Sequence, residues 1–295
     1  VIEARILTAI RKRLTPLVAP PAAVDFTLVV DGDAMGCLDS ARAERLARFS
    51  HMFDVERDRI QFVPALADVE ARSAAMAEVA ATLAQERALT RWRNERYAVS
   101  TSFGAMPCFY LERAAARYFG VHTYAAHVNG TTDGFSQLWF ARRARGKAID
   151  PGMLDNLVGG GIAAGATVKS TVIKEAGEEA GIEPSLARHA RAVGRVEIFR
   201  AQPDGIQRET VFVHDLELPP DFRPLNRDGE VAEFRRVDLA CAADLIASTS
   251  GDDEVTADAS LVVLDFLLRH GAIDPAAAEH DALAALRTVS AGPPA

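Results

Sequence analysis

Residues 159–182, GGGIAAGATVKSTVIKEAGEEAGI, constrain this chain more than any other stretch. A run of glycines gives way to a segment of helical character that carries Glu175, Glu178 and Glu179 and stops at Gly181. Side chains at i, i+3 and i+4 share one face of a helix, so the spacing gathers three carboxylates. Like charges so placed repel unless a cation lies between them. A carboxylate ridge beside a glycine-rich loop suggests a Mg²⁺ or Mn²⁺ site for a diphosphate. The plainer alternative is a solvated helix face of three glutamates.

The same residues resemble the Nudix hydrolases. The signature of that family reads Gly, five residues, Glu, seven residues, Arg-Glu, an apolar residue, any residue, Glu-Glu, any residue, Gly and an apolar residue. Gly160 takes the opening position, Glu175 the Glu of Arg-Glu, Glu178–Glu179 the acidic pair, and Gly181–Ile182 the close. Six of the eight most informative places agree over 23 residues. Two depart: Ala166 stands where the first Glu belongs, and Lys174 stands for Arg. Lysine keeps the charge but not the planar, bidentate fork. The resemblance implies that the missing acid weakens metal binding or turnover without abolishing it.

Competing readings of the glycines fit less well. Gly159, Gly161 and Ala164 satisfy a loose dinucleotide fingerprint, but that motif wants its acidic residue at the end of a second strand, about 20 positions on. Here the acids lie on the helix that follows the loop. A P-loop would close on Gly-Lys-Ser/Thr, whereas Lys169-Ser170 follows Val168.

The likeness extends past the signature. YAAHVNG, PGMLDNLVGGGIAAG, VFVHDLELP and DGEVAEF are similar to a Nudix subgroup with an extra N-terminal domain, labelled thiamine-pyrophosphokinase-related. That resemblance implies hydrolysis of a small-molecule diphosphate, such as a damaged or analogue thiamine diphosphate or another nucleoside-diphosphate-like compound. The alternative is a non-catalytic or weakened module that binds a nucleotide-like ligand, with Ala166 marking the decay. Isoprenoid diphosphate isomerisation is disfavoured, because no cysteine lies in a recognisable catalytic motif.

The remaining composition suits a small-molecule enzyme. With 295 residues the chain can bury one large or two modest cores. Its net charge of −8 argues against a nucleic-acid partner. Three cysteines without a CxxC favour a reduced, cytoplasmic location. No apolar run reaches membrane-spanning length, so no membrane partner is expected.

Patterning divides the chain near residue 120. Residues 1–120 read as a small α+β domain: an amphipathic helix through Ile6, Ile10 and Leu14, strands at 26–30 and 59–63, helices at 39–48 and 68–88, and a shorter helix from Phe109 to Phe119. This domain is expected to wall a pocket or to form a homodimer contact. Residues 121–295 alternate as strands at 122–131, 137–141, 194–200, 209–218 and 230–239, with an apolar helix at 258–269. The expected class is α+β, a Nudix α/β/α sandwich with a mixed sheet, preceded by the N-terminal domain.

Site roles follow from charge. Glu175 and Glu179 are the expected principal metal ligands, Glu178 a third ligand or the base for water, and the Gly160 carbonyl a further oxygen donor. Because the family often uses a glutamate outside the signature, Glu233 is the first candidate and Glu230 the second. Each is otherwise a solvent-facing strand charge. Arg142, Arg143 and Lys147 are candidates for contacting phosphate. His127 and Asn129 share one strand face and suit a heterocycle or a satisfied polar core pair, whereas His122 lies on the opposite face.

Overall fold

The computed structural model describes residues 2–22, 24–89, 92–147, 149–249 and 251–289. After helix α1 (Ala4–Leu14), an N-terminal unit is built from β1 (Phe26–Val30), β2 (Asp33–Leu38), helix α2 (Ser40–Leu46), β3 (Phe53–Glu56), β4 (Arg59–Phe62) and the long helix α3 (Val69–Gln85). The four strands run in the order β2-β1-β4-β3, with β1 and β4 parallel. Asp31 and Gly32, both at positive φ, turn β1 into β2. Helix α3 begins where the Asp68 side chain accepts from Ala71 N, and it buries Met76, Val79 and Leu83. A two-stranded ribbon, β5 (Arg96–Val99) and β6 (Phe109–Glu112), completes the unit.

The helix expected over 109–119 is instead β6 followed by a single 3₁₀ turn at Arg113–Ala115. Phe109 and Leu111 alternate onto the core, a period of two that the helix reading overlooked. Glu112 then caps the turn by accepting from Ala114 N.

The second unit centres on β7 (His122–Thr132), β8 (Gln137–Arg143), β9 (Leu154–Asn156) and β10 (Val158–Gly161), then helices α4 (Val168–Ala180) and α5 (Pro184–Ala187). It continues with β11 (Arg191–Gln202), β12 (Gly205–Glu217), β13 (Val231–Asp238), and helices α6 (Leu239–Ala247), α7 (Ala257–Arg269) and α8 (His280–Ala285). The sheet order is β11-β12-β7-β8-β13, with β10 added to β7 and β9 to β8. Among the described strands of this sheet only β12 and β7 pair in parallel, so the sheet is mixed. Ala126, Val128 and Leu216 pack on the face carrying α4, while Ala125, Val211 and Val213 pack on the face carrying α7. The α+β class and the sandwich with a mixed sheet are borne out.

Helix α1 does not follow the division at residue 120. Its buried residues Leu7, Ile10 and Leu14 join the core formed by α6, α7 and α8. Arg13 fastens it there, donating to Ile246 O at 2.8 Å and to Ser260 Oγ at 2.9 Å. The apolar stripe therefore closes the sandwich of the second unit, and the N-terminal unit proper starts after it. Among the described residues, no helix is long and apolar enough to cross a membrane.

Candidate active site

The glycine run expected as a loop is a strand. Gly159, Gly160 and Gly161 pair with His127, Ala126 and Ala125 of β7. Successive residues of a strand face opposite sides, so Gly160 faces α4 while its neighbours face the other way. A Cβ on Gly160 would lie 2.5 Å from Glu175 Cγ and 2.6 Å from its Cδ. One on Gly161 would overlap the hydroxyl of Tyr97, and one on Gly159 would sit 3.0 Å from the His127 ring. Glycine is required because side chains approach this backbone on both faces.

Helix α4 aims its acids at that strand. Thr167 and Ser170 form a reciprocal capping box at its start, and Gly181, at φ 65°, ends it in the left-handed conformation. Glu179 is only 7% exposed, and its Oε2 accepts from Gly159 N at 2.9 Å. Burial pushes its carboxyl up to about 8, and the charges of Asp155 and Glu175 add to the rise; the Gly159 N–H and Lys147 oppose it.

The three signature glutamates do not converge. Lys174 Nζ holds Glu175 at 2.9 Å and Glu178 at 2.7 Å, leaving Glu178 half-exposed. At about 100° per residue, Glu178 and Glu179 point in clearly different directions, while Lys174 and Glu178 are i, i+4 neighbours. Among the described residues, no three His, Cys, Asp or Glu side chains are gathered as a ready metal site. Ala166, at the place of the missing acid, packs against the apolar core beneath α4.

The outlying candidates separate into two groups. Glu230 pairs with Lys147, and both share a small recess with Glu179, Asp155 and Arg143. Arg143 donates to Asp155 Oδ2 at 2.8 Å. Arg142 and Glu233 lie elsewhere. They pair with each other at 3.0 Å, and Arg142 also donates to Asp253 Oδ1 at 2.6 Å and Gly152 O at 3.1 Å. Arg142 is thus committed to a structural cluster at the β8–β13 edge, and Glu233, the first candidate outside the signature, is no neighbour of Glu179. Strand alternation separates Arg142 from Arg143, and it is Glu230, the second candidate, that flanks the site.

A cleft opens between the N-terminal unit and the sheet. Its walls include Arg93, Arg113 and Arg117 from the first unit and Arg143 and His127 from the second. Hairpin β11–β12 closes it from the side, where Ile206 N donates to Arg117 O at 2.8 Å. Gly205 is needed at that hairpin, because a Cβ there would overlap the Arg117 carbonyl.

Asn129 is buried and takes no part in the cleft lining; it is the middle of a hydrogen-bonded chain. Asn129 Nδ2 donates to the acceptor-only carboxylate of Asp215 at 3.1 Å. Its Oδ1 then accepts from Asn156 Nδ2 at 3.3 Å, and Asn156 Oδ1 meets His127 Nδ1 at 2.9 Å. That direction has His127 Nδ1 donate to Asn156 Oδ1. Arg269 and His270 in turn hold Asp215. The satisfied polar core pair is therefore the correct description of Asn129, while His127 both belongs to the chain and lines the cleft.

Sequence reasoning missed Asp155, Asn156 and Tyr97. A local signal existed for the first two, a polar pair inside the apolar run MLDNLV. Tyr97 has none, because its proximity to Gly161 arises only from the packing of two units.

Comparison with known proteins accords with this geometry. Residues 22–123 match a domain of unknown function (DUF4743), and residues 121–259 match the NUDIX domain model. The chain carries a Nudix domain. Nudix hydrolase 20, chloroplastic, of Arabidopsis thaliana is 43% identical over 208 residues, 70% of this chain and 55% of that protein. Nudix hydrolase 24, chloroplastic, from the same plant is 44% identical over 208 residues, covering 70% of this chain and 56% of the relative. A Saccharomyces cerevisiae protein described as uncharacterized is 32% identical over 246 residues, 77% of this chain and 70% of its own length. The chain thus spans about half the length of the two plant relatives. The Nudix domain places α4 and β10 side by side, and the arginine-bearing wall of the cleft comes partly from the DUF4743 region.

Proposed function

We propose that the protein is a metal-dependent hydrolase of a small-molecule diphosphate, with a thiamine diphosphate analogue or another nucleoside-diphosphate-like compound as substrate. The observation that carries this reading is Glu179, a buried carboxyl hydrogen-bonded to the glycine strand and flanked by Asp155 and Glu175. A buried acid beside two others is costly unless a cation or a proton compensates it. Carboxylate oxygens suit Mg²⁺ or Mn²⁺, and Glu179 and Glu175 would be two of its ligands, although among the described residues no third acid is gathered with them as a ready ligand. Such an ion would neutralise diphosphate charge and activate water.

The chain's own groups supply the rest. Arg143 lines both the cleft and the recess that holds Glu179 and Lys147, and Arg93 lines the cleft, so a diphosphate would lie where the two adjoin. Water attacks one phosphorus, the bridging P–O bond breaks, and two phosphate-bearing products leave. The Gly159 N–H fixes the orientation of Glu179, and Gly160 leaves Glu175 room against the strand. Lys174, bridging Glu175 and Glu178, favours a second reading, a binding module in which these acids stay neutralised by lysine.

Product release from a panel of diphosphates with Mg²⁺ or Mn²⁺ tests the choice. Glu179→Gln is expected to lower turnover by more than about 100-fold, since even outer-shell partners of a metal cost roughly 10–100-fold. Ligand binding without metal-dependent product from any panel member would establish the binding module instead.

A further inference from the structure

The extended segment 154–161 changes partners part-way along. Among the described residues, β7 and β8 pair with each other over Gly130–Thr132 of β7. Past Gly130 the ladder on β8 is continued by β9, with Asn156 opposite Phe140, and the ladder on β7 by β10, with Val158 opposite Val128. The sheet therefore forks, and Leu157 joins the two arms. One arm carries Asp155, and the other carries Gly159, whose N–H holds Glu179 at 2.9 Å. Asp155, Asn156 and Glu179 line the same recess. No backbone ladder joins β9 to β7 among the described residues, so side chains must set the spacing of the arms.

Asn156 spans the fork. From β9 its Nδ2 donates to Asn129 Oδ1 at 3.3 Å, and its Oδ1 meets His127 Nδ1 at 2.9 Å, both on β7. Its own backbone N–H donates to Asp155 Oδ1 at 2.9 Å. The His127 ring lies against the β10 arm, since a Cβ on Gly159 would stand 3.0 Å from its Cε1 and Nε2 and 3.2 Å from its Nδ1. One amide thus touches both acids indirectly. It reaches Asp155 through its own N–H, and Glu179 through His127 and Gly159.

The far end of this chain is anchored. Asp215, directly opposite Asn129 in the parallel β12–β7 register, accepts from Arg269 at 2.6 and 3.0 Å and meets His270 Nε2 at 3.0 Å. Its side chain is fully buried, and Asn129 and Asn156 are 1% and 3% exposed. Apolar residues of similar volume would fill this space without the desolvation that these groups suffer. What the polar chain adds is direction. A fixed carboxylate accepts only, so each amide in turn has one satisfied orientation. A fully satisfied buried network of this kind rigidifies a single arrangement.

We propose that Asp215, Asn129 and Asn156 are positioning residues, whose hydrogen-bonded chain stands in for the missing ladder across the fork. The chain fixes His127 and Gly159, and through them the arrangement of Glu179 and Asp155 that takes up the divalent cation. This rests on the metal-dependent reading above.

The test uses the full chain and Mn²⁺ alone. Asn129→Leu nearly keeps the side-chain volume and removes both hydrogen bonds. Mn²⁺ affinity is read by calorimetry. Exchange of the His127 Nδ1 proton is read by NMR on the metal-free, ¹⁵N-histidine-labelled protein, with the signal assigned by its absence from a His127→Gln chain. The wild-type chain should show a slowly exchanging Nδ1 proton. In Asn129→Leu that proton should exchange at least about tenfold faster, and Mn²⁺ should bind about tenfold more weakly, the size of effect that outer partners of metal ligands have. Val211→Ala, buried in β12 but outside the chain, lowers stability alone and should leave both readouts within about twofold. If Asn129→Leu fails to fold by circular dichroism, Asn156→Ala breaks the chain one step nearer the acids and carries the same expectation.

A folded variant that binds Mn²⁺ as the wild-type chain does overturns the inference. So does weaker Mn²⁺ binding with the Nδ1 proton as protected as before, because the effect would then bypass His127. A wild-type Nδ1 proton that exchanges as freely as that of an exposed imidazole overturns it without any variant. A wild-type chain with no affinity for Mn²⁺ removes the metal-dependent reading itself, a failure distinct from a wild-type chain that binds Mn²⁺ and variants that bind it equally well.

Discussion

The two faces of the glycine strand β10 do different work with the same residue type. On the α4 face, Gly160 makes room for Glu175, an acid of the helix that follows in sequence. On the opposite face, Gly161 makes room for Tyr97, a residue more than sixty positions earlier and in the other unit. A single strand therefore joins a local arrangement, built by β10 and α4, to a long-range one, built by docking the N-terminal unit. The local half belongs to the reacting end of the proposed site. The long-range half lines the cleft between the two units.

Alanine substitutions can break that comparison apart. Gly160→Ala is expected to have the larger effect. Its Cβ would press on Glu175 Cγ and Cδ, which sit too close to the backbone to yield without the side chain rotating away. Turnover should fall by about tenfold or more, with the affinity for a diphosphate changing much less. Steady-state kinetics at fixed Mg²⁺ checks this. Should the loss appear wholly in KM, the assignment of the α4 face to chemistry fails.

Gly161→Ala should act in the opposite sense, weakening affinity by a few-fold to about tenfold and leaving kcat near its original value. The overlapping atom is the Tyr97 hydroxyl, and the ring carbon behind it stands 3.2 Å from the same Cβ. Combining Gly161→Ala with Tyr97→Phe removes the overlap, so the double variant should regain part of the affinity that the glycine change alone costs. Contacting residues show such coupling, whereas independent sites add. Additive effects in this cycle would mean that Tyr97 does not rest on Gly161 in solution.

The same division explains what was legible in the sequence. The helix of Glu175, Glu178 and Glu179, its glycine stop and the strand carrying His127 could be read from spacing, since each depends on neighbours a few residues apart. Parity along β7 likewise placed His122 and His127 on opposite faces. The glycines themselves misled: a run of three suggests a loop, and only the approach of Glu175 and Tyr97 explains why a strand needs them. Glu233 and Arg142 illustrate another limit. Both types fit the chemistry, but alternation along β8 and β13 set them against each other, with Arg142 also on Asp253, and away from Glu179. Nor does any local pattern bring Glu209, Asp258 and Tyr97 together in the cleft. Their meeting depends on a parallel strand pairing, a helix start and the docking of a second unit.

The smallest expected effect concerns the other histidine of β7. His122 lies on the α4 face, stacked on Tyr124 with its ring centre 4.6 Å away and its Nε2 2.9 Å from Thr210 Oγ1. Burial, with a minor contribution from the charge of Arg208, pulls the imidazole down to about 4. In the unfolded chain it titrates near its ordinary value of about 6.5. Between those values the unfolded state binds more protons than the folded one, so stability rises with pH across the window. The contribution is whole above about pH 6.5 and is lost as the pH falls toward 4, on the order of 1–3 kcal/mol. Urea unfolding of the metal-free protein at pH 4.5 and 7 should show this loss, and His122→Gln should flatten part of it. Part will persist, because burial also lowers His214 on the same face of the neighbouring strand β12. Equal pH slopes for the wild-type and His122→Gln chains would show that His122 is not held neutral against the α4 face. The acid sensitivity of this side of the sheet would then have to come from His214 or from the carboxylates.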